Sequence, residues 1–259
     1  ADAVHSFSDF ITDVIVIVFV RISNMPADTD HEYGHGKYET LAGAVIGLAL
    51  LAVAVGIIIG GARSITAWLN GEVLTSPGIL ALIAAVASIV LKEATYRYTA
   101  AKADKLESQA LHANAWHHRS DALSSIGTAL GIGGAILLGK RWAVLDPIAS
   151  IIVGAFIVKA AVMMLKEGVG DLMERSLPDD IKEEIIAIAT SFEDIFQPHH
   201  LRTRRIGNHY AIEMHVRMDG DKTLRESHQR ATDIEKAIKG RFGEKTHVTI
   251  HVEPIKDSE

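Results

Sequence analysis

Apolar residues gather in long blocks over the first two thirds of the chain and then give way to short alternating runs. Thr40 to Ala62 is a block of 23 residues without a charge, Val73 to Leu91 one of 19 and Ala122 to Gly139 one of 18. At a helical rise of about 1.5 Å per residue, each can cross a hydrocarbon core of roughly 30 Å. Pro147 to Leu165 is interrupted only by Lys159, whose stem can lie along an apolar face while its ammonium reaches water. Val4 to Val20 comes earliest and carries His5, Asp9 and Asp13 among apolar positions. The pattern predicts five membrane helices.

After Glu167 the pattern becomes that of a soluble domain. Asp179 and Asp180 suit the first turn of a helix after Pro178, and Ile181, Ile185, Ile186 and Ile188 give it an apolar stripe. Strands are predicted over His200 to Ile206 and Tyr210 to Met218, joined by the turn pair Gly207-Asn208. A helix over Leu224 to Phe242 and a strand over Thr246 to Glu253 follow. The expected architecture is an α-helical transmembrane bundle over 1–175, then a small α+β domain over 178–259. The latter has a truncated ferredoxin-like order, αββαβ.

Composition sharpens this division. Hydrophobic residues make up 48% of the chain and mean hydropathy is +0.19, yet 22% of residues are charged. That is too many charges for a protein wholly inside lipid. A net charge of -6 and a pI near 6.1 leave no electrostatic footprint for nucleic acid. Without cysteine, disulfides and thiolate metal sites are excluded, and any metal ligand must be nitrogen or oxygen. Placing the C-terminal domain in the cytoplasm puts Arg21, Lys37, Arg97, Lys102, Lys105, Lys166 and Arg175 inside, against Arg63, Lys140 and Arg141 outside. The Arg21 to Glu39 connection is then cytoplasmic. Five spans separate the termini, whereas one more helix before Ala1 would bring both to one side.

Thirteen histidines carry the candidate chemistry. His5-Ser-Phe-Ser-Asp9 and His117-His-Arg-Ser-Asp121 are both H-x-x-x-D, a spacing that puts an imidazole and a carboxylate on one helix face. Two such helices facing each other offer His5, Asp9, His117 and Asp121 as a tetrahedral cage for a divalent ion. Ionisable groups at membrane depth mark a functional site by default. The Arg21 to Glu39 connection holds His31-Glu-Tyr-Gly-His35, which matches the H-E-x-x-H of zinc proteases. That reading fails on context, because Gly34 and Gly36 weaken a helix and Pro26 and Asp28 mark a loop. Asp28, His31 and His35 as a loop metal site fits better. In the last domain, Ile212, Met214, Val216 and Met218 alternate with Glu213, His215 and Arg217, and Val248, Ile250 and Val252 with His247, His251 and Glu253. The imidazoles therefore face away from the core, and with His199, His200 and His228 they form a candidate metal cluster.

These motifs in this order resemble the cation diffusion facilitator family of metal transporters over essentially the whole chain. The similarity rests on the two H-x-x-x-D segments, the P-A-D-x-x-H-x-x-G-H-G-K loop from Pro26 to Lys37 and the αββαβ tail. It implies a six-helix membrane domain whose first helix precedes Ala1, and a homodimer in the lipid bilayer joined through cytoplasmic domains. It also implies export of zinc or a similar ion against inward proton flow. By the resemblance, His5, Asp9, His117 and Asp121 form the transport site, and Asp28, His31 and His35 a loop site. His199, His215, His228, His251 and Glu253 form a cytoplasmic binuclear site, with Glu253 standing where the family often has aspartate. Lys37 would pair with Glu174.

Charge counting fits proton exchange. Two protonated His with two ionised Asp sum to zero, as do two neutral His, two ionised Asp and a divalent ion. The donor set favours Zn²⁺, with Fe²⁺ and Co²⁺ behind. The loop expected between Arg97 and Leu111 lacks the histidine run of many eukaryotic zinc-transporting relatives, and the resemblance therefore implies a bacterial inner membrane. The reading is thus a Zn²⁺/H⁺ antiporter rather than an enzyme. A non-transporting metal-sensing relative and an intramembrane metalloprotease are the rival classes.

Overall fold

The computed structural model describes residues 14–71, 79–106, 108–138 and 144–255. Internal contacts divide the chain into two units, Ala1–Val169 and Gly170–Glu259. The first unit contains α1 (Val14–Ser23), α2 (Lys37–Leu69), α3 (Ile79–Leu106), α4 (Gln109–Leu138) and α5 (Leu145–Leu172), the last of which ends just inside the second unit. By length and composition α2 and α5 can each cross a membrane. Large apolar side chains stay uncovered on their outer faces, among them Leu48, Ile59, Ile152, Phe156 and Met163. Lipid is the solvent that such a surface suits.

Packing inside this unit uses small residues. Leu50 and Ala54 of α2 meet Ile157 and Ala161 of α5 in one apolar cluster. Gly61 and Gly154 let these two helices approach closely. A Cβ on Gly61 would lie 2.8 Å from Ile151 and 2.9 Å from the Pro147 carbonyl, and one on Gly154 would lie 2.6 Å from Ile58. Such contacts suit a membrane domain, where helix association rests on van der Waals packing rather than on expulsion of water. Val16 of α1 packs with Ala42 and Ile46 of α2 and with Ala110 and Ala113 of α4.

The apolar blocks understate helix length. Thr40 to Ala62 and Pro147 to Leu165 lie inside longer helices, and the loop expected between Arg97 and Leu111 is a correction. Helix α3 continues to Leu106 and α4 begins at Gln109. Ala100, Ala101, Lys102, Ala103 and Lys105 are good helix formers, so the helix leaves the apolar zone without unwinding. The expected start of the second block at Val73 lies outside the described residues.

The second unit is built from α6 (Asp179–Thr190), β1 (Phe196–Ile206), β2 (His209–Met218), α7 (Leu224–Phe242) and β3 (His247–Pro254). The sheet order is β1-β2-β3, with β1 antiparallel and β3 parallel to β2. The αββαβ order therefore holds. Ile212, Met214, Val216 and Met218 are buried against Ile185 and Ala189 of α6 and Ile234 and Ile238 of α7. Thr223 and Glu226 close a capping box at the start of α7. Strand β1 starts earlier than its alternation predicts, because register shifts flank His199 and both Gln197 and His200 take positive φ. A bulged strand does not show period two in its sequence.

Candidate metal centres

Three groups of donors can be built from the residues upward. The first lies on the sheet face opposite the core. His199 stands across from His215 on the neighbouring strand, His215 stands across from His251, and Arg217 across from Glu253. Side chains two apart share a face, so Glu253 reaches back into the imidazole row. Its carboxylate lies 2.9 Å from His215 Nδ1, 3.3 Å from His199 Nε2 and 3.8 Å from His251 Nε2. The His215 hydrogen bond, helped by the charges of His199, His215 and His251, holds the Glu253 carboxyl below its ordinary pKa against desolvation, which raises it. His215, His251 and Glu253 form one set of donors within metal-ligating reach, and His199, His200 and His215 an overlapping one.

The second group is the loop before α2. Asp28 Oδ1 accepts the His31 backbone N–H at 2.7 Å and that of Asp30 at 3.0 Å. With the His31 bond foremost, these contacts hold the Asp28 carboxyl below its usual range. Gly34, at φ 77°, turns the chain, and its N–H donates to the His31 carbonyl at 2.9 Å. That turn brings the His31 and His35 rings to 4.4 Å and puts His35 Nε2 3.4 Å from Asp28 Oδ2. Residues 31–35 are not helical. The protease arrangement, which needs both histidines on one helix face, is therefore not formed.

Both groups share a proton pattern. His35 Nδ1 lies 3.2 Å from the Pro26 carbonyl, and His199 Nδ1 2.8 Å from the Gln197 carbonyl. A carbonyl only accepts, so each Nδ1 carries hydrogen and each neutral ring presents an Nε2 lone pair. That lone pair faces a carboxylate oxygen in both places, 3.4 Å away at Asp28 and 3.3 Å away at Glu253. Lone pair against carboxylate is repulsive unless a cation stands between them, either a second proton or a metal ion. A backbone carbonyl behind a ligating histidine is the usual orienting arrangement at metal sites, so the donor chemistry fits a divalent ion at each.

The third group lies within the helical unit. His117 and Asp121 sit about two and about three turns into α4, are only 8% and 7% exposed, and approach to 4.0 Å. His5 and Asp9, with Asp13, lie outside the described residues. Sequence reading missed a further member, Lys92 of α3, whose Nζ lies 2.9 Å from Asp121 Oδ2. Its signal was present as the charge that ends the Val73 to Leu91 block, one residue past an apolar span.

Other expected members fall elsewhere. His228 is exposed on α7, the helix that covers the apolar face, and is not grouped with the imidazole row among the described residues. Glu174 forms a 3.0 Å salt bridge with Arg204. Lys37 opens α2 and belongs to the other unit.

Comparison with known proteins settles the family. The cation efflux transmembrane domain matches residues 1–173, and the cation efflux protein cytoplasmic domain matches residues 177–255. The chain belongs to the cation diffusion facilitator family. It is 33% identical to the manganese efflux system protein MneP of Bacillus subtilis, over 98% of this chain and 85% of that protein. It is 31% identical to the cation-efflux pump FieF of Citrobacter koseri, over 98% and 82%. Metal tolerance protein C1 of Arabidopsis thaliana is 34% identical, but there the chain spans only 56% of the relative's length. Among solved structures, the metal-bound C-terminal domain of the CzcD transporter from Thermotoga maritima aligns with 31% of this chain and 93% of that one, at 33% identity and a TM-score of 0.28. This cation diffusion facilitator is therefore a membrane transporter that moves divalent metal cations outward and not an enzyme. It has a membrane-spanning transport domain and a cytoplasmic domain.

Proposed function

We propose that this transporter is a Zn²⁺/H⁺ antiporter of a bacterial inner membrane, working as a homodimer by alternating access. His5, Asp9, His117 and Asp121 hold the ion in transit. The observation that carries the proposal is the buried His117 and Asp121 pair, side by side on one helix of the apolar unit. A divalent ion balances the two carboxylates, and after its release protons on the histidines supply the same balance, so neither state carries large net charge through the membrane. Metal binding needs neutral imidazoles, which is why protons and metal compete.

Asp28, His31 and His35 hold a second ion, and the sheet-face row with Glu253 a third. His228 joins the latter from a second copy of the domain, since within one chain α7 covers the opposite face. Two imidazoles favour Zn²⁺ over harder ions, with Fe²⁺ and Co²⁺ next. The test is uptake of Zn²⁺, Fe²⁺, Co²⁺ and Mn²⁺ by proteoliposomes with and without a pH gradient. Zinc flux that rises with the gradient is expected. Flux indifferent to the gradient contradicts antiport, and manganese moving faster than zinc contradicts the substrate.

A further inference from the structure

Helices α3 and α4 meet through a ladder of polar contacts at helical spacing. Ser88 and Ser125 hydroxyls lie 3.4 Å apart, Lys92 donates to Asp121 at 2.9 Å, and Arg119 donates to the Tyr96 hydroxyl at 2.6 Å. The outer rungs fix the register of the two helices, and Lys92 is the only member of the ladder that reaches the buried carboxylate. An ammonium at this depth is costly unless paired, and pairing it this way engages the side chain that the transport reading needs for metal. The contact is to Asp121 Oδ2, the same oxygen that faces His117 Nε2 at 4.0 Å. A lysine ammonium and a divalent ion on that oxygen would repel each other, so each weakens the hold of the other.

We infer that Lys92 is a tethered stand-in for the transported ion: its ammonium occupies the metal's place on Asp121 between turnovers, and metal must displace it. The inference rests on the reading of His117 and Asp121 as transport ligands and goes beyond it by assigning a residue that sets affinity and helps release. Lysine suits the task, because a compact charge on a flexible four-carbon stem can withdraw along the α3/α4 seam and return. Competition from a tethered cation weakens metal binding and speeds unloading. It also keeps Asp121 paired in the interval between release of the ion and protonation of the histidines.

The test is Zn²⁺ uptake by proteoliposomes of the full-length protein, analysed as KM and maximal rate for wild type, Lys92→Met, Lys92→Arg and Asp121→Ala. A charge-assisted hydrogen bond at this strength corresponds to about a tenfold change in binding. Lys92→Met is therefore expected to lower KM about tenfold and to slow the maximal rate, with Lys92→Arg returning both toward wild type. A merely structural lysine gives the opposite sign, so a KM at or above wild type in Lys92→Met overturns the inference. If Lys92→Met does not assemble, Lys92→Gln, which keeps the donor without the charge, carries the same expectation and the same refutation. Loss of flux in Asp121→Ala upholds the transport-site reading whatever the lysine variants do. Flux that survives Asp121→Ala overturns that reading and the lysine inference together.

Discussion

Asp121 and Glu253 are both carboxylates set against imidazoles, yet one is buried beside a lysine and the other lies among three histidines on a sheet face. Asp121 is buried on α4, with one histidine beside it and a lysine ammonium on the oxygen that faces that histidine. Glu253 lies on a sheet face within reach of three histidines, and among the described residues Arg217 is the cation that approaches it, at 3.8 Å. On the transport reading, the first carboxylate exchanges one cation for another, the Lys92 ammonium for metal. The second gathers three imidazoles, whose nitrogens lie 2.9, 3.3 and 3.8 Å from its oxygens. In low dielectric an uncompensated charge is expensive, so a carrier site needs a replacement cation, whereas a site near water does not.

The sharpest way to break this contrast is to remove one histidine from each centre. His117→Ala is expected to reduce proteoliposome zinc flux by about a hundredfold or more, the scale at which even groups behind metal ligands begin to matter. His215→Ala should leave flux within about tenfold of wild type while abolishing zinc binding by the Gly170–Glu259 fragment, measured by calorimetry. Equal losses of flux in the two variants would erase the distinction between carrier and holder.

Next in size is the packing of α5 against α2. Gly154→Leu puts a side chain where a Cβ alone would lie 2.6 Å from Ile58. Overpacking of this kind costs about 1–3 kcal/mol, read as a lower melting temperature of the purified protein in detergent. The same substitution at Gly133, where a Cβ meets nothing within 4 Å, should leave the melting temperature unchanged.

Smaller still is a pH effect confined to the cytoplasmic unit. Desolvation, with the nearby charges of His247 and Lys245, lowers the His209 pKa to about 4 from 6.5. The unfolded chain then takes up a proton below pH 6.5 that the folded domain refuses until about pH 4. Stability from this group is complete above pH 6.5 and lost as pH falls toward 4. Melting of the Gly170–Glu259 fragment should drop over that window, and His209→Asn should flatten the drop. An unchanged slope would remove His209 from the account.

Much of this was legible in the sequence because burial imposes period. Uncharged blocks located α2 and α5, and alternation over Ile212 to Met218 located β2 and which of its faces carries His215. The i, i+4 spacing of His117 and Asp121 placed them together on one helix face. What stayed hidden depends on contacts between elements. Lys92 looked like the end of a span because counting charges marks where a block stops, not what the charge meets. His199 is legible in the sequence as a member of the cluster, but its place opposite His215 comes through register shifts that alternation cannot encode. His31 and His35 share an i, i+4 spacing with no helix, and it is the turn at Gly34 that brings their rings together. The connection between α3 and α4 was misplaced because polar, alanine-rich helix and polar loop have similar composition.

The central claim is that the buried pair on α4 carries zinc in exchange for protons. It is tested most directly by zinc flux into proteoliposomes under an imposed pH gradient, comparing wild type with Asp121→Ala. The account predicts gradient-driven uptake in wild type and none above background in the variant. Gradient-driven uptake that persists at the wild-type rate in Asp121→Ala would contradict it.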